Sequence, residues 1–255
     1  MAYEIRPMSL GEILDIGFRL LRNHFWLLVG LAATIYVPLG LVGEAFPIAA
    51  GISASGEVLS ASPLALVLLS LVTLVVVGVG APLASAAMTA AVGDIYLGRP
   101  TGVAPALRRA WALFMPLAWT TLLSYAIIAA GLLLLIVPGL WLMLAYFVSS
   151  QVVLLEGLSG MAALRRSGEL MRGNKGRAFL MALAVGVLQA VVSGATTSAL
   201  QDLPLLGVAV GTVVSTVSMA YLIAVTVVFY FDLRCRRDAF DLEHLARMIE
   251  PRGPL

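Results

Sequence analysis

Long stretches without one charged side chain, separated by short clusters of arginine, constrain this chain more than any other feature. One run extends from Phe25 to Gly43, another from Val58 to Gly93, a third from Trp111 to Leu155, and two more cover roughly 178–200 and 206–231. An α-helix rises about 1.5 Å per residue and a bilayer's hydrocarbon core is about 30 Å thick, so about 20 consecutive apolar residues make one crossing. The third run is too long for one. Val137, Pro138 and Gly139 divide it, because proline interrupts the helical hydrogen-bond ladder and glycine permits a tight reversal. The expectation is therefore an all-α polytopic membrane protein with six transmembrane helices, at 24–43, 63–93, 113–137, 139–156, 178–200 and 206–231, forming a single membrane domain. Composition agrees: 12% of residues are charged, against about 25% in a soluble domain, and the mean hydropathy is +1.01. Glu12 and Asp15 interrupt any apolar stretch at the start, so no cleavable signal peptide is expected there.

The charges test that count. Lys and Arg near the ends of spans are retained on the cytoplasmic side, whereas Asp and Glu influence orientation little. Arg6, Arg19 and Arg22 precede the first span; Arg99, Arg108 and Arg109 join the second to the third; Arg165, Arg166, Arg172, Lys175 and Arg177 join the fourth to the fifth. The rest of the 16 basic residues follow the last span, and the opposite loops carry only Glu44, Glu57 and Asp202. Every basic residue thus falls on one side, which places both termini in the cytoplasm and the chain in the cell's inner (cytoplasmic) membrane. A mere kink at Pro138 would move the cluster after Glu156 outside.

A short amphipathic segment precedes each outward-going span, and the three look like one unit repeated with its hairpin. The first, 9–23, sets Leu10, Ile13, Leu14, Gly17, Phe18 and Leu21 on one face and Glu12, Asp15, Arg19 and Arg22 on the other. Ser9 with Glu12 has the spacing of a capping box, and Asp15 with Arg19 that of an i,i+4 pair. The second, 103–112, contains Ala106-Leu-Arg-Arg-Ala; the third, 159–173, contains Ala163-Leu-Arg-Arg-Ser. A fourth, 241–250, follows the last span. Helices of this kind lie in the membrane interface with basic side chains toward anionic head groups, so Arg19, Arg22, Arg108, Arg109, Arg165, Arg166 and Arg172 are candidate lipid head-group contacts, although topological anchoring alone accounts for flanking arginines. Each returning helix ends in a carboxylate, Asp94, Glu156 or Asp232. These are expected to pair with nearby arginines, or alternatively to form a cytoplasmic carboxylate ring.

Catalytic chemistry finds little purchase. His24 and His244 have no second ligand at metal-binding spacing, and Cys235 has no cysteine to pair with. No phosphate-binding glycine loop occurs, and the arginines already explained by topology give no case for nucleic acid. No acidic or basic residue lies mid-span, so the signature of ion-coupled transport is missing. Gln151 and Gln189 are candidate intramembrane lining residues, though such groups commonly hydrogen-bond between helices. Gly207 with Gly211, and Ala84 with Ala87 and Ala91, are small-residue packing devices.

Three stretches carry a family resemblance: Arg6-Pro-Met-Ser-Leu-Gly-Glu-Ile-Leu-Asp; Val137-Pro-Gly-Leu-Trp continuing to Leu155-Glu-Gly, Ala163-Leu-Arg-Arg-Ser and Met171-Arg-Gly-Asn; and Tyr230-Phe-Asp-Leu-Arg. Together they resemble the membrane domain found fused to some glycerophosphoryl diester phosphodiesterases and often occurring alone, a family whose biochemical role is generally undefined. The chain has no room for the catalytic barrel, so the enzyme name does not transfer. The resemblance implies an integral membrane protein. The leading expectation is a non-enzymatic, cofactor-free protein associated with anionic membrane lipids, with a membrane-protein partner or a second copy of itself, that assists membrane or envelope processes. A passive lipid or small-molecule transporter is the alternative, and an intramembrane hydrolase using His24 or Glu156 ranks last.

Overall fold

In the computed structural model, residues 6–34, 37–38, 63–200 and 203–239 are described, and among them no strand occurs. Helix α1 spans Leu10–Asn23. Its start is fixed by the Ser9 capping box: the Ser9 hydroxyl accepts from the Glu12 N–H, and the Glu12 carboxylate accepts from the Ser9 N–H at 2.7 Å. Its apolar stripe, with Ile13, Leu20 and Leu21 buried, packs on the last helix. After a break at His24 comes the apolar α2, Phe25–Thr34. The remainder of the expected first span, the 241–250 segment and the loops holding Glu44, Glu57 and Asp202 lie outside the described residues.

Helix α3, Pro63–Val75, passes through a π-helical turn, Val76–Gly80, into α4, Ala81–Tyr96. The wider turn has a local cause. Pro82 offers no N–H and its ring would crowd the carbonyl four residues back, so the ladder loosens just before it. Helix α5 covers Val103–Ala112 and α6 covers Phe114–Leu134. The chain then reverses at Leu135, whose backbone is extended at φ −161° and ψ 142°, into α7, Ile136–Ala145.

The expected dividing point at Val137–Gly139 therefore moves. Pro138 sits inside the first turn of α7, where a missing N–H costs nothing. Gly139 shows no left-handed backbone and acts instead by close approach. A Cβ there would lie 2.8 Å from the Leu132 Cα, and one on Gly131 would lie 3.2 Å from the Gly139 Cα. Two glycines thus let the arms of the hairpin touch backbone to backbone.

A single turn, α8 (Ser149–Gln151), and a π-helical turn, Val152–Glu156, continue from α7 and stop at Gly157, whose φ of +75° needs glycine. Helix α9 spans Gly160–Met171, α10 spans Lys175–Ala199 and α11 spans Pro204–Asp238. Among the described residues five helical stretches are long and apolar enough to cross a membrane: Ser70–Tyr96, Phe114–Leu134, Ile136–Glu156, Lys175–Ala199 and Ala209–Asp238.

Burial against lipid gains little from the hydrophobic effect, since acyl chains are as apolar as leucine; helices associate there through close packing of small residues and through polar contacts. The structure follows that rule. Ala84, Ala87 and Ala91 of α4 are buried and α4 packs on α11, where Tyr96 stacks on Phe231 with ring centroids 4.9 Å apart. The core gathers where α4, the π-helical turn Val152–Glu156 and α11 carry their carboxylates. Away from it the helices turn leucine and valine outward: Leu133 is 88% exposed, and Leu183, Val187 and Val191 of α10 are exposed as well.

Candidate functional site: an arginine and carboxylate face

Three carboxylates organise one end of the bundle. Asp94, near the end of α4, lies 3.4 Å from Arg109 of α5, and Arg109 also donates to the Leu154 carbonyl at 3.1 Å. Glu156 accepts from Arg166 of α9 at 2.9 Å and from the Tyr230 hydroxyl at 2.7 Å. Arg166 reaches on to Asp238, which Arg234 also contacts at 3.3 Å. Burial works against the charge on Arg166, yet the hydrogen bonds to Asp238 and Glu156 more than offset it, so this guanidinium holds its proton more tightly than an ordinary arginine.

The third carboxylate, Asp232, has no exposed side-chain surface. It is paired with Arg177 at 2.8 Å and with Arg236 at 3.1 Å. It also accepts the Met8 N–H at 2.7 Å. The Met8 carbonyl in turn accepts from Arg177 at 2.7 Å and from Arg236 at 2.8 Å. The backbone N–H and C=O of one residue ahead of α1 are thus both held by residues of α10 and α11. A carboxylate buried this deeply is tolerated because charge partners and hydrogen bonds saturate its oxygens.

The repeated Ala-Leu-Arg-Arg strings divide their labour. The second arginine of each, Arg109 and Arg166, turns inward onto a carboxylate, while the first, Arg108 and Arg165, is exposed. Arg22 and Arg172 are exposed too, and Arg19 is exposed while pairing with Asp15 at 2.7 Å. The three carboxylates occupy separate arginine clusters, and among the described residues no three His, Cys, Asp or Glu side chains gather as a metal site would require. His24 is half-buried at the end of α1, and Cys235 is buried on α11. His244 lies outside the described residues.

Gln151 is 6% exposed, and its Oε1 has no hydrogen-bond partner among the described residues. Gln189 sits half-buried in the middle of α10. Neither glutamine lines either of two cavities that open among the described residues. One, of about 630 Å³, lies between α7, α9 and the start of α10. The other, of about 560 Å³, is an apolar crevice between α1, α10 and α11.

Residues 110–233 match a family model described as "Domain of unknown function (DUF7847)". The matched stretch runs from the end of α5 to just past Asp232, and so takes in Glu156, Arg166 and Arg177 but not α1. No curated protein and no solved structure matches the chain. The match brings no activity with it.

Sequence patterning located the carboxylates and the arginines but missed three members of this face. Asp238 was findable, since it stands four residues after Arg234 on one helix. Tyr230, two residues before Asp232, has no local spacing that ties it to Glu156, 74 positions away. The Met8 backbone carries no side-chain signal at all.

Proposed function

We propose that this chain is a non-enzymatic membrane protein of the cell's inner membrane whose role is to hold or organise anionic lipid at the cytoplasmic surface. In this reading six apolar arms form three hairpins, each preceded by an amphipathic helix, with both termini and every basic residue in the cytoplasm. The sequence of breaks supports the repeat: α1 and α2 part at His24, α5 and α6 at Leu113, and α9 and α10 over 172–174, each time a short amphipathic helix before an apolar one.

One observation carries the proposal. On the face where Arg109, Arg166, Arg177 and Arg236 are consumed by internal carboxylates, Arg22, Arg108, Arg165 and Arg172 stay exposed, and no carboxylate among the described residues lies within ion-pair distance of them. Cations left over after the internal pairs are satisfied attract the negative surface of a membrane, each by about 1 kcal/mol. Purification in mild detergent followed by lipid mass spectrometry tests this. Retention of anionic over zwitterionic phospholipid is expected; recovery with neither anionic lipid nor a protein partner would overturn it.

A second reading, a passive conduit for lipid or small solutes, has one observation in its favour, the buried and unpartnered Oε1 of Gln151. Flux of labelled lipid or solute no faster than in protein-free vesicles would remove it.

A further inference from the structure

We infer that the cavity between α7, α9 and the start of α10 is a binding site for the phosphate of an anionic phospholipid, with the guanidinium groups of Arg165 and Arg172 as its principal ligands. Its walls are of two kinds. Arg165, Arg172 and Lys175 contribute three cations against the single carboxylate of Glu169. Arg165 and Glu169 stand one helical turn apart, the spacing at which such pairs close, yet they are not within ion-pair distance, and neither arginine has another carboxylate partner among the described residues. Lys175 instead lies over the ring of Trp141, its Nζ 2.8 Å from the centroid, a cation–π contact that fixes the ammonium at the rim without neutralising it. An excess of positive charge in a walled pocket needs an anion, and guanidinium groups present paired N–H donors suited to phosphate oxygens.

The other wall is apolar, formed by Trp141 and Met161, which are 58% and 57% exposed, together with Leu142 and Leu164. A free inorganic ion would leave that wall unused, whereas a phospholipid would lay its acyl chains there. The placement along the bundle suits an amphiphile. The Arg172 carbonyl accepts from Arg237, and Arg177, two residues beyond Lys175, is bound to Asp232. The mouth of the cavity is therefore level with the basic end of α11, where the chain leaves the hydrocarbon. Its volume of about 630 Å³ falls in the range of small-molecule sites, about 300–1,000 Å³. Gly168 of α9 lines the cavity, and a Cβ there would meet nothing within 4 Å, so a larger side chain at this position has open space to project into.

This inference rests on the lipid-associated reading above, and its test separates the two. Native mass spectrometry on the full chain in mild detergent, supplemented with phosphatidylglycerol, phosphatidylcholine of the same chain length, or inorganic phosphate, would compare wild type with R165Q/R172Q, with Gly168→Leu, which intrudes into the cavity while keeping every charge, and with R99Q, which removes an exposed arginine elsewhere. The expected result is one phosphatidylglycerol adduct on wild type and R99Q, weakened at least tenfold in both pocket variants, with little from phosphatidylcholine. Circular dichroism and gel filtration confirm that the variants fold. Adducts kept at wild-type strength in both pocket variants would overturn the site and leave the broader lipid reading standing. Equal binding of inorganic phosphate would overturn the assignment to lipid, and no anionic adduct on wild type would overturn both.

Discussion

At the scale of the residue, stability concentrates in charges that have partners. Asp232 is fully buried with two guanidinium groups and a peptide N–H upon it. Replacing one member of a buried pair strands the others and costs about 3–5 kcal/mol. Asp232→Ala should therefore lower the thermal midpoint in detergent sharply. Asp94→Ala should lower it far less, because its arginine stands 3.4 Å away and both side chains are partly exposed; equal losses would refute the ranking. Glu12 titrates differently. The Ser9 N–H, the Arg6 guanidinium and the Ser9 hydroxyl hold its pKa down from 4.5 to about 2. A depressed carboxylate contributes stability above its unfolded value and loses it as pH falls through the folded one. The first turn of α1 should thus loosen between about pH 4.5 and 2, read as faster amide exchange at residues 10–13, and Glu12→Gln should flatten that dependence. The capping box and the acids at helix ends are legible in sequence because they obey local spacing. Which arginine answers which acid is not: Asp232 draws on residues 55 positions back and 4 positions on.

At the scale of the element, apolar length and charge predict where helices lie, and glycine decides how closely they meet. Gly139 and Gly131 bring α6 and α7 into backbone contact. Gly139→Val should force the hairpin apart at a cost of about 1–3 kcal/mol, the usual penalty of overpacking, whereas Gly211→Ala should be neutral or better, since a Cβ there meets nothing within 4 Å. Thermal scans of the two variants would show it, and a tolerated Gly139→Val would refute the close approach. The Gly207 and Gly211 pair looked like a packing motif from spacing alone; the described structure gives Gly211 no neighbour to pack against. The π-helical turns were likewise invisible, because they respond to Pro82 and to tertiary demands at Glu156 more than to any periodic signal.

At the scale of the whole molecule, the distribution of basic residues gives the proposed sidedness, and it is testable without knowing the function. Single cysteines at Arg165 and at Glu57, in a background where Cys235 is replaced by serine, should react with an impermeant maleimide from opposite sides of sealed vesicles. Labelling from the same side would end the three-hairpin arrangement. The helical class and the membrane-length helices were open to sequence reasoning because lipid imposes a coarse rule of length and polarity. The cavity of about 630 Å³ between α7, α9 and α10 was not, since Trp141, Arg165 and Lys175 meet only once three helices are assembled.

The clasp on Met8 bears on the order in which the molecule can be made. Met8, whose backbone N–H and C=O are held by Asp232, Arg177 and Arg236, is separated from the last of these by 228 positions, so the first helix stays unfastened until nearly the whole polypeptide has left the ribosome. Assembly then closes like a drawstring, the earliest segment tied by the latest, and a chain halted before Asp232 should leave residues 6–23 open to protease while the middle hairpin, whose arms are sequence neighbours, is already protected.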